Sequence, residues 1–218
     1  RGALTRGEAH DLFVPLARAL ATLHAAGIRH QDVKPENIFL ARMHSSEEEV
    51  LPVLLDLGVA AKEAEMVVAG TPTYFAPEVA DQFVELGTRR RITAKSDVFS
   101  LALSLRNALE PENEESVSSA GVDAFIARRA RQAPKPFARR DLRYLDSAFG
   151  RFLAQDPDAR PDADALAKEL AVLVEPERRK AWRGQRTSTM APRLRSLAFR
   201  NTRVAPDRSS SVLAMKKP

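Results

Sequence analysis

His30-Gln31-Asp32-Val33-Lys34-Pro35-Glu36-Asn37 sets a carboxylate, an ammonium and a carboxamide within one short loop. A second carboxylate, Asp56, stands nineteen residues beyond Asn37 and opens Asp56-Leu57-Gly58. Twenty residues further on comes Ala76-Pro77-Glu78. The carbonyl oxygen of Asn37 and the carboxylate of Asp56 are the hard donors that a hard divalent cation takes. Taken singly, an Asp–Lys pair two apart is what any solvated loop offers, and Asp-Leu-Gly is a strand running into a turn. The ordered set carries more information than any of its members.

The elements that must position these residues are legible in the apolar pattern. Leu12, Leu16, Ala19, Leu20 and Leu23 recur at helical spacing, so the first thirty residues read as one helix that stops at Gly27 and delivers His30. Ile38-Phe39-Leu40 and Val53-Leu54-Leu55 read as short strands, with Ser45-Ser46-Glu47-Glu48-Glu49 as a solvated hairpin loop between them. Ser96-Asp97-Val98-Phe99-Ser100-Leu101 begins an apolar helix. Three more helices follow over 122–131, 142–154 and 163–174, with Phe125, Ile126, Leu145, Phe149, Phe152, Leu153, Leu166, Leu170 and Leu173 turned inward. Glu110-Pro111-Glu112-Asn113-Glu114-Glu115 reads as an exposed loop. The fold class is mainly α with a few short strands.

The charge divides along the chain. The 218 residues carry a formal net charge of +5, but residues 1–175 hold −5 and residues 176–218 hold +10. That basic tail is rich in Ser, Thr, Arg and Pro and poor in apolar clusters, so it reads as a disordered, solvated extension. It could also make electrostatic contact with a polyanion such as nucleic acid or anionic lipid. Arg193-Leu194-Arg195-Ser196 within it has the form of a phosphorylation site. Cysteine is absent, which excludes disulfides and thiolate metal sites and fits a cytoplasmic location. No run of eighteen apolar residues exists, so no transmembrane helix is expected in this sequence. His10, His24 and His44 show no zinc spacing; His10 and His24 read as helix-face residues. There is no internal repeat.

In order and spacing the three motifs resemble the protein kinase family: catalytic loop, magnesium loop, then the end of the activation segment. The resemblance covers roughly residues 4–175 and implies the large, C-terminal lobe of that fold. It implies that Asp32 accepts the proton of a substrate hydroxyl, and that Lys34 offsets charge on the γ-phosphate of ATP. Asn37 and Asp56 would bind Mg2+, and with Phe39 they would contact the nucleotide. Thr71, in Gly70-Thr71-Pro72-Thr73-Tyr74-Phe75, would bond Asp32 and Lys34 and shape the pocket beside the target hydroxyl. His30 would brace the loop from the core. Asp97 would accept backbone N–H bonds from it. Glu78 would pair with Arg160 of Asp156-Pro157-Asp158-Ala159-Arg160-Pro161. Lys34 followed by Pro-Glu-Asn is similar to the serine/threonine type, which implies protein substrates with Ser or Thr.

Two departures qualify the resemblance. No Gly-rich phosphate loop and no Val-Ala-X-Lys strand precede His30, so the small lobe is expected to lie outside this sequence, which is then a piece of a longer protein. Gln31 stands where the family often has an Arg that receives an activation-segment phosphate, and Val59 through Ala69 contains no Ser, Thr or Tyr. Catalysis independent of activation-segment phosphorylation is therefore expected, with Met66, Val67 and Val68 holding the segment by apolar contacts. Leu57 replaces the commoner Phe in an apolar slot. Two other functions remain open at this level: a pseudokinase or scaffold lobe, and a polyanion-binding protein acting through the tail. Retention of Asp32, Lys34, Asn37 and Asp56 together argues against the scaffold.

Overall fold

A computed structural model describes residues 2–42, 50–62, 65, 69–84 and 91–174. The hairpin loop expected at Ser45–Glu49, the contacts expected of Met66–Val68 and the tail from Pro176 lie outside the described residues.

The chain opens with α1 (Arg6–Ala25), whose start is written in a capping box. Thr5 accepts from the Glu8 backbone N–H through its hydroxyl, while the Glu8 carboxylate accepts from the Thr5 backbone N–H. β1 (Ile28–Arg29) follows, then the loop from His30, then β2 (Ile38–Arg42) and β3 (Val50–Leu54). β4 (Ala61–Lys62), α2 (Pro77–Phe83), α3 (Lys95–Leu109), α4 (Gly121–Arg129), α5 (Asp146–Phe152) and α6 (Ala163–Leu173) complete the described elements. The strands form two separate antiparallel pairs. β1 lies on β4 with Arg29 opposite Ala61, and β2 lies on β3 with Ile38 opposite Leu54 and Phe39 opposite Val53. Pro52 is tolerated inside β3, which among the described residues has a neighbour on one side only.

α3 is the centre of the core. Val98, Phe99, Leu101, Leu103 and Leu105 are all buried, and so are its polar Ser96, Asp97, Ser104 and Arg106. A helix buried on every side presents both apolar surface and fixed polar groups to its neighbours. α1 packs on α3 and α6 through Leu12, Leu16 and Leu20. Ala19, placed on the inner stripe by spacing, faces solvent, whereas Ala9, Phe13, Val14 and Ala17 are buried. α1 also ends at Ala25, so the first thirty residues are not one helix; Gly27, in a left-handed conformation, turns the chain into β1.

Two more expectations require correction. The helix read over 142–154 is a 3-10 stretch, Arg140–Leu145, followed by the short α5; its apolar residues are buried as the pattern implied. The acidic run from Glu110 is not simply an exposed loop. Glu110 is fully buried and accepts from the backbone N–H groups of Ala138 and Arg139 and from Asn113, with Arg106 nearby. Burial pushes its carboxyl up, but those bonds and the Arg106 charge outweigh burial and hold it below the usual carboxylate range. Glu115 pairs with the buried Arg129 at 2.9 Å. Only Glu112 and Glu114 of the run face solvent.

Among the described residues no helix is long and apolar enough to cross a membrane.

Candidate active site

The loop between β1 and β2 is pinned from below by α3. Asp97, in the first turn of that helix, accepts from the backbone N–H of His30 at 2.7 Å and of Gln31 at 2.8 Å. His24, at the end of α1, adds a third bond to the same carboxylate at 2.9 Å. Spacing alone reads His24 as a helix-face residue. It follows Leu16 and Leu20 at four-residue intervals, so the stripe itself held the signal that His24 points inward. His30 is fully buried. Its Nδ1 accepts from the Asp32 backbone N–H at 3.3 Å, and its Nε2 faces the Leu55 carbonyl at 3.1 Å. A carbonyl only accepts and a backbone N–H only donates, so in this geometry Nε2 is the donor and Nδ1 the acceptor. His30 thus joins the loop to the end of β3. Val33 is 1% exposed and anchors the loop in the core.

That anchoring aims three polar side chains at one another. Lys34 Nζ lies 2.8 Å from Asp32 Oδ2 and donates to Thr71 Oγ1 at 2.6 Å. The Thr71 hydroxyl in turn donates to Asp32 Oδ1 at 2.7 Å, closing a triangle. Asn37 Nδ2 donates to the Asp32 backbone carbonyl at 2.8 Å and to Asp32 Oδ2 at 3.1 Å. Burial raises the Asp32 carboxyl, but the bonds from Lys34 and Thr71, the Lys34 charge and the Asn37 amide together hold it below its ordinary value. The result is a half-buried carboxylate, ionised at neutral pH and fixed in direction. Such a group can orient a hydroxyl and take its proton.

Thr71 arrives here because of Gly70. That glycine has φ +119°, and a Cβ placed on it would lie 2.3 Å from the Gln31 carbonyl oxygen. No other residue lets these two stretches of the chain approach so closely. The following turn, Pro72–Tyr74, is held to α3 by Ser100, whose hydroxyl donates to the Tyr74 carbonyl at 2.8 Å.

Asn37 and Asp56 come together through the β2–β3 pair. The Leu55 N–H donates to the Asn37 carbonyl at 2.7 Å, extending the ladder by one step beyond Ile38 and Leu54. Asp56 follows immediately, in a left-handed conformation with φ 65° and its side chain exposed. The Gly58 N–H fixes one of its oxygens at 3.0 Å, and a Cβ on Gly58 would crowd that same oxygen at 2.9 Å. The Asn37 amide nitrogen is committed to Asp32, which leaves its carbonyl oxygen to a cation. Two hard oxygen donors suit Mg2+, which keeps several waters and phosphate oxygens in its shell. Among the described residues no cluster of three or more His, Cys, Asp or Glu side chains assembles.

Phe39 lies two residues on, 48% exposed on the open face of the β2–β3 pair. Across the pair stands Val53, and Leu51, Leu55 and Leu57 are exposed along the same stretch of chain.

Glu78 and Arg160 stand apart from this cluster. Both are fully buried, and the guanidinium grips the carboxylate with two parallel bonds of 2.8 and 2.7 Å. Arg160 also donates to the carbonyls of Ala154 and Lys95. It ties α2 and the start of α3 to the turn Pro157–Ala159, a structural role.

Comparison with known proteins gives a consistent picture. The family profile described as "Protein kinase domain" matches residues 1–169. The chain is 31% identical over 182 residues to the serine/threonine-protein kinase PkaA of Streptomyces coelicolor, covering 80% of this chain and 31% of that protein. It is 30% identical over 200 residues to the serine/threonine-protein kinase pkn2 of Myxococcus xanthus, covering 79% and 22%. It is also 30% identical over 183 residues to the membrane-associated tyrosine- and threonine-specific cdc2-inhibitory kinase wee-1.3 of Caenorhabditis briggsae, covering 83% and 26%. The chain spans between a fifth and a third of the length of these relatives.

Proposed function

Because the chain belongs to the protein kinase family, we propose that it supplies the catalytic lobe of a serine/threonine kinase, transferring the γ-phosphate of ATP to protein hydroxyls. The observation that carries this reading is the Asp32 triangle: a carboxylate held by Lys34, Thr71 and Asn37, ionised and aimed. In the proposed step a substrate hydroxyl oxygen forms a bond to the γ-phosphorus. The bond from that phosphorus to the oxygen bridging to the β-phosphate breaks, and ADP leaves. Asp32 orients the hydroxyl and takes its proton. Lys34, already beside that carboxylate, offsets charge on the transferred group. Thr71 positions both side chains and would shape the pocket for the residue after the target hydroxyl. Asn37 and Asp56 would hold Mg2+, which when bound neutralises phosphate charge. Phe39 would lie against the nucleotide on the open β2–β3 face.

A scaffold would not need Lys34, Thr71 and Asn37 all held on the Asp32 carboxylate. Gln31 supports catalysis without activation-segment phosphorylation, since a neutral amide cannot neutralise a phosphate. Here that amide is engaged instead, donating to the Val59 carbonyl at 2.7 Å.

The test is phosphoryl transfer by the full-length protein from radiolabelled ATP. Asp32→Asn should lower turnover by about two to four orders of magnitude. Unchanged transfer by that variant overturns the assignment.

A further inference from the structure

Arg29 is 1% exposed and sits in β1, next to His30. Its guanidinium donates to backbone carbonyls in two stretches of chain. Nη1 reaches Ile92, just ahead of α3, at 3.4 Å. Nη2 reaches Lys62 at 3.3 Å and Glu65 at 2.5 Å. Lys62 and Glu65 form a turn closed on itself: the Glu65 N–H donates to the Lys62 carbonyl, and the Glu65 carboxylate accepts from the Lys62 N–H. Arg29 therefore grips Lys62 and Glu65 by their carbonyls, at the two ends of this turn. A planar guanidinium can serve several acceptors at once in fixed directions; an ammonium on a flexible stem cannot.

The residues on either side of His30 thus work on the same stretch of chain. Gln31 holds Val59, Arg29 holds Lys62 and Glu65, and the β1–β4 ladder holds Ala61 between them. This stretch begins directly after Asp56-Leu57-Gly58, and it contains no hydroxyl side chain to which a phosphate could be attached. Its placement has to come from groups already in the chain.

We propose that Arg29 is a positioning residue: a built-in cation that fixes the turn Lys62–Glu65 against the loop His30–Asn37, and through it the approach of Asp56. Three of its bonds go to main-chain oxygens, which a residue of any type supplies. Burial strengthens each bond by excluding competing water. The kinetic consequence rests on the proposed kinase activity; the grip itself does not.

The test uses the full-length protein and two variants, Arg29→Met and Arg29→Lys. Amide hydrogen exchange is read at Lys62 and Glu65, and at Leu16 of α1 and Leu101 of α3 as references. Arg29→Met should speed exchange at Lys62 and Glu65 by about tenfold or more while the two references stay within about twofold. Turnover should fall about tenfold or more with KM for magnesium-ATP within about threefold, because misplaced groups lose rate rather than ground-state binding. Arg29→Lys, which keeps the charge but not the fork, should fall between Arg29→Met and the parent in both readouts. Equal acceleration at all four amides would mean a merely structural role and overturn the proposal. So would unchanged exchange at the turn, or local loosening with turnover untouched. If Arg29→Met does not fold, Arg29→Lys decides by the same criteria. If the unmodified protein transfers no phosphate, the proposed function fails, while the exchange comparison still decides whether Arg29 grips the turn.

Discussion

At the scale of single residues, Asp32 shows how a carboxylate is kept ionised in a half-buried place. Burial favours its protonated form; Lys34, Thr71 and Asn37 favour the ionised one and win. Removing Lys34 withdraws one hydrogen bond and one charge and leaves the burial. Lys34→Met should therefore raise the Asp32 carboxyl pKa, as read by carbon-13 NMR titration of the side chain; an unchanged or lowered value would contradict the balance described. The sign for stability follows. Because the folded-state value lies below the ordinary 3.8, Asp32 contributes stability that is fully present above that ordinary value. It is lost as pH falls through the depressed one. In Lys34→Met that contribution should shrink, so the variant should lose less stability than the parent as the solution is acidified below the ordinary value. Parallel urea melts across that acid range measure the difference.

At the scale of elements, the site depends on contacts between segments far apart in sequence. Gly70 and Gln31 are one such pair. Gly70→Ala would force a Cβ to 2.3 Å from the Gln31 carbonyl at a φ of +119°. The strain alone should cost roughly 1–3 kcal/mol, and displacement of Thr71 should lower turnover beyond what the lost stability explains. Denaturant melts beside transfer kinetics separate the two effects, and a variant with full activity would show that the approach is not needed. Glu78 and Arg160 are another pair. Arg160→Met leaves the Glu78 carboxylate buried without its partner, which typically costs about 3–5 kcal/mol. The double variant Glu78→Leu with Arg160→Met should be more stable than Arg160→Met alone, because no orphaned charge remains. If the double variant is worse, Arg160 matters chiefly through its bonds to Ala154 and Lys95 rather than through Glu78.

At the scale of the whole molecule, the open β2–β3 face is the conspicuous feature. Phe39, Leu51, Val53, Leu55 and Leu57 are between 37% and 55% exposed on adjoining strands and the turn beyond them. Contiguous exposed apolar surface marks a place where something else packs. On the proposed function this face would form one side of a nucleotide site, and the sequence holds no Gly-rich phosphate loop for the other. Purified alone, it should bind magnesium-ATP more weakly than about micromolar by calorimetric titration. Sub-micromolar binding would mean that a full nucleotide grip is present within these residues.

Much of this could be read from the amino-acid order. Asp32, Lys34, Asn37 and Asp56 announce themselves because the roles proposed for them demand particular functional groups at short, fixed spacing. The buried α3 and the stripes of α1 and α6 announce themselves because a helix that faces a core must repeat apolar residues every three or four positions. Local order could not decide the pairings. Whether Glu110 is a solvated acid or a buried acceptor depends on Ala138 and Arg139 arriving 28 and 29 residues later. His24 touches Asp97 across 73 positions, and Arg29 finds its carbonyls 33, 36 and 63 residues away. Side-chain type and periodicity act within a turn or two of helix. A hydrogen bond between distant segments is decided only when the whole chain has packed, and in this protein those bonds hold the carboxylate, the glycine contact and the arginine grip in place.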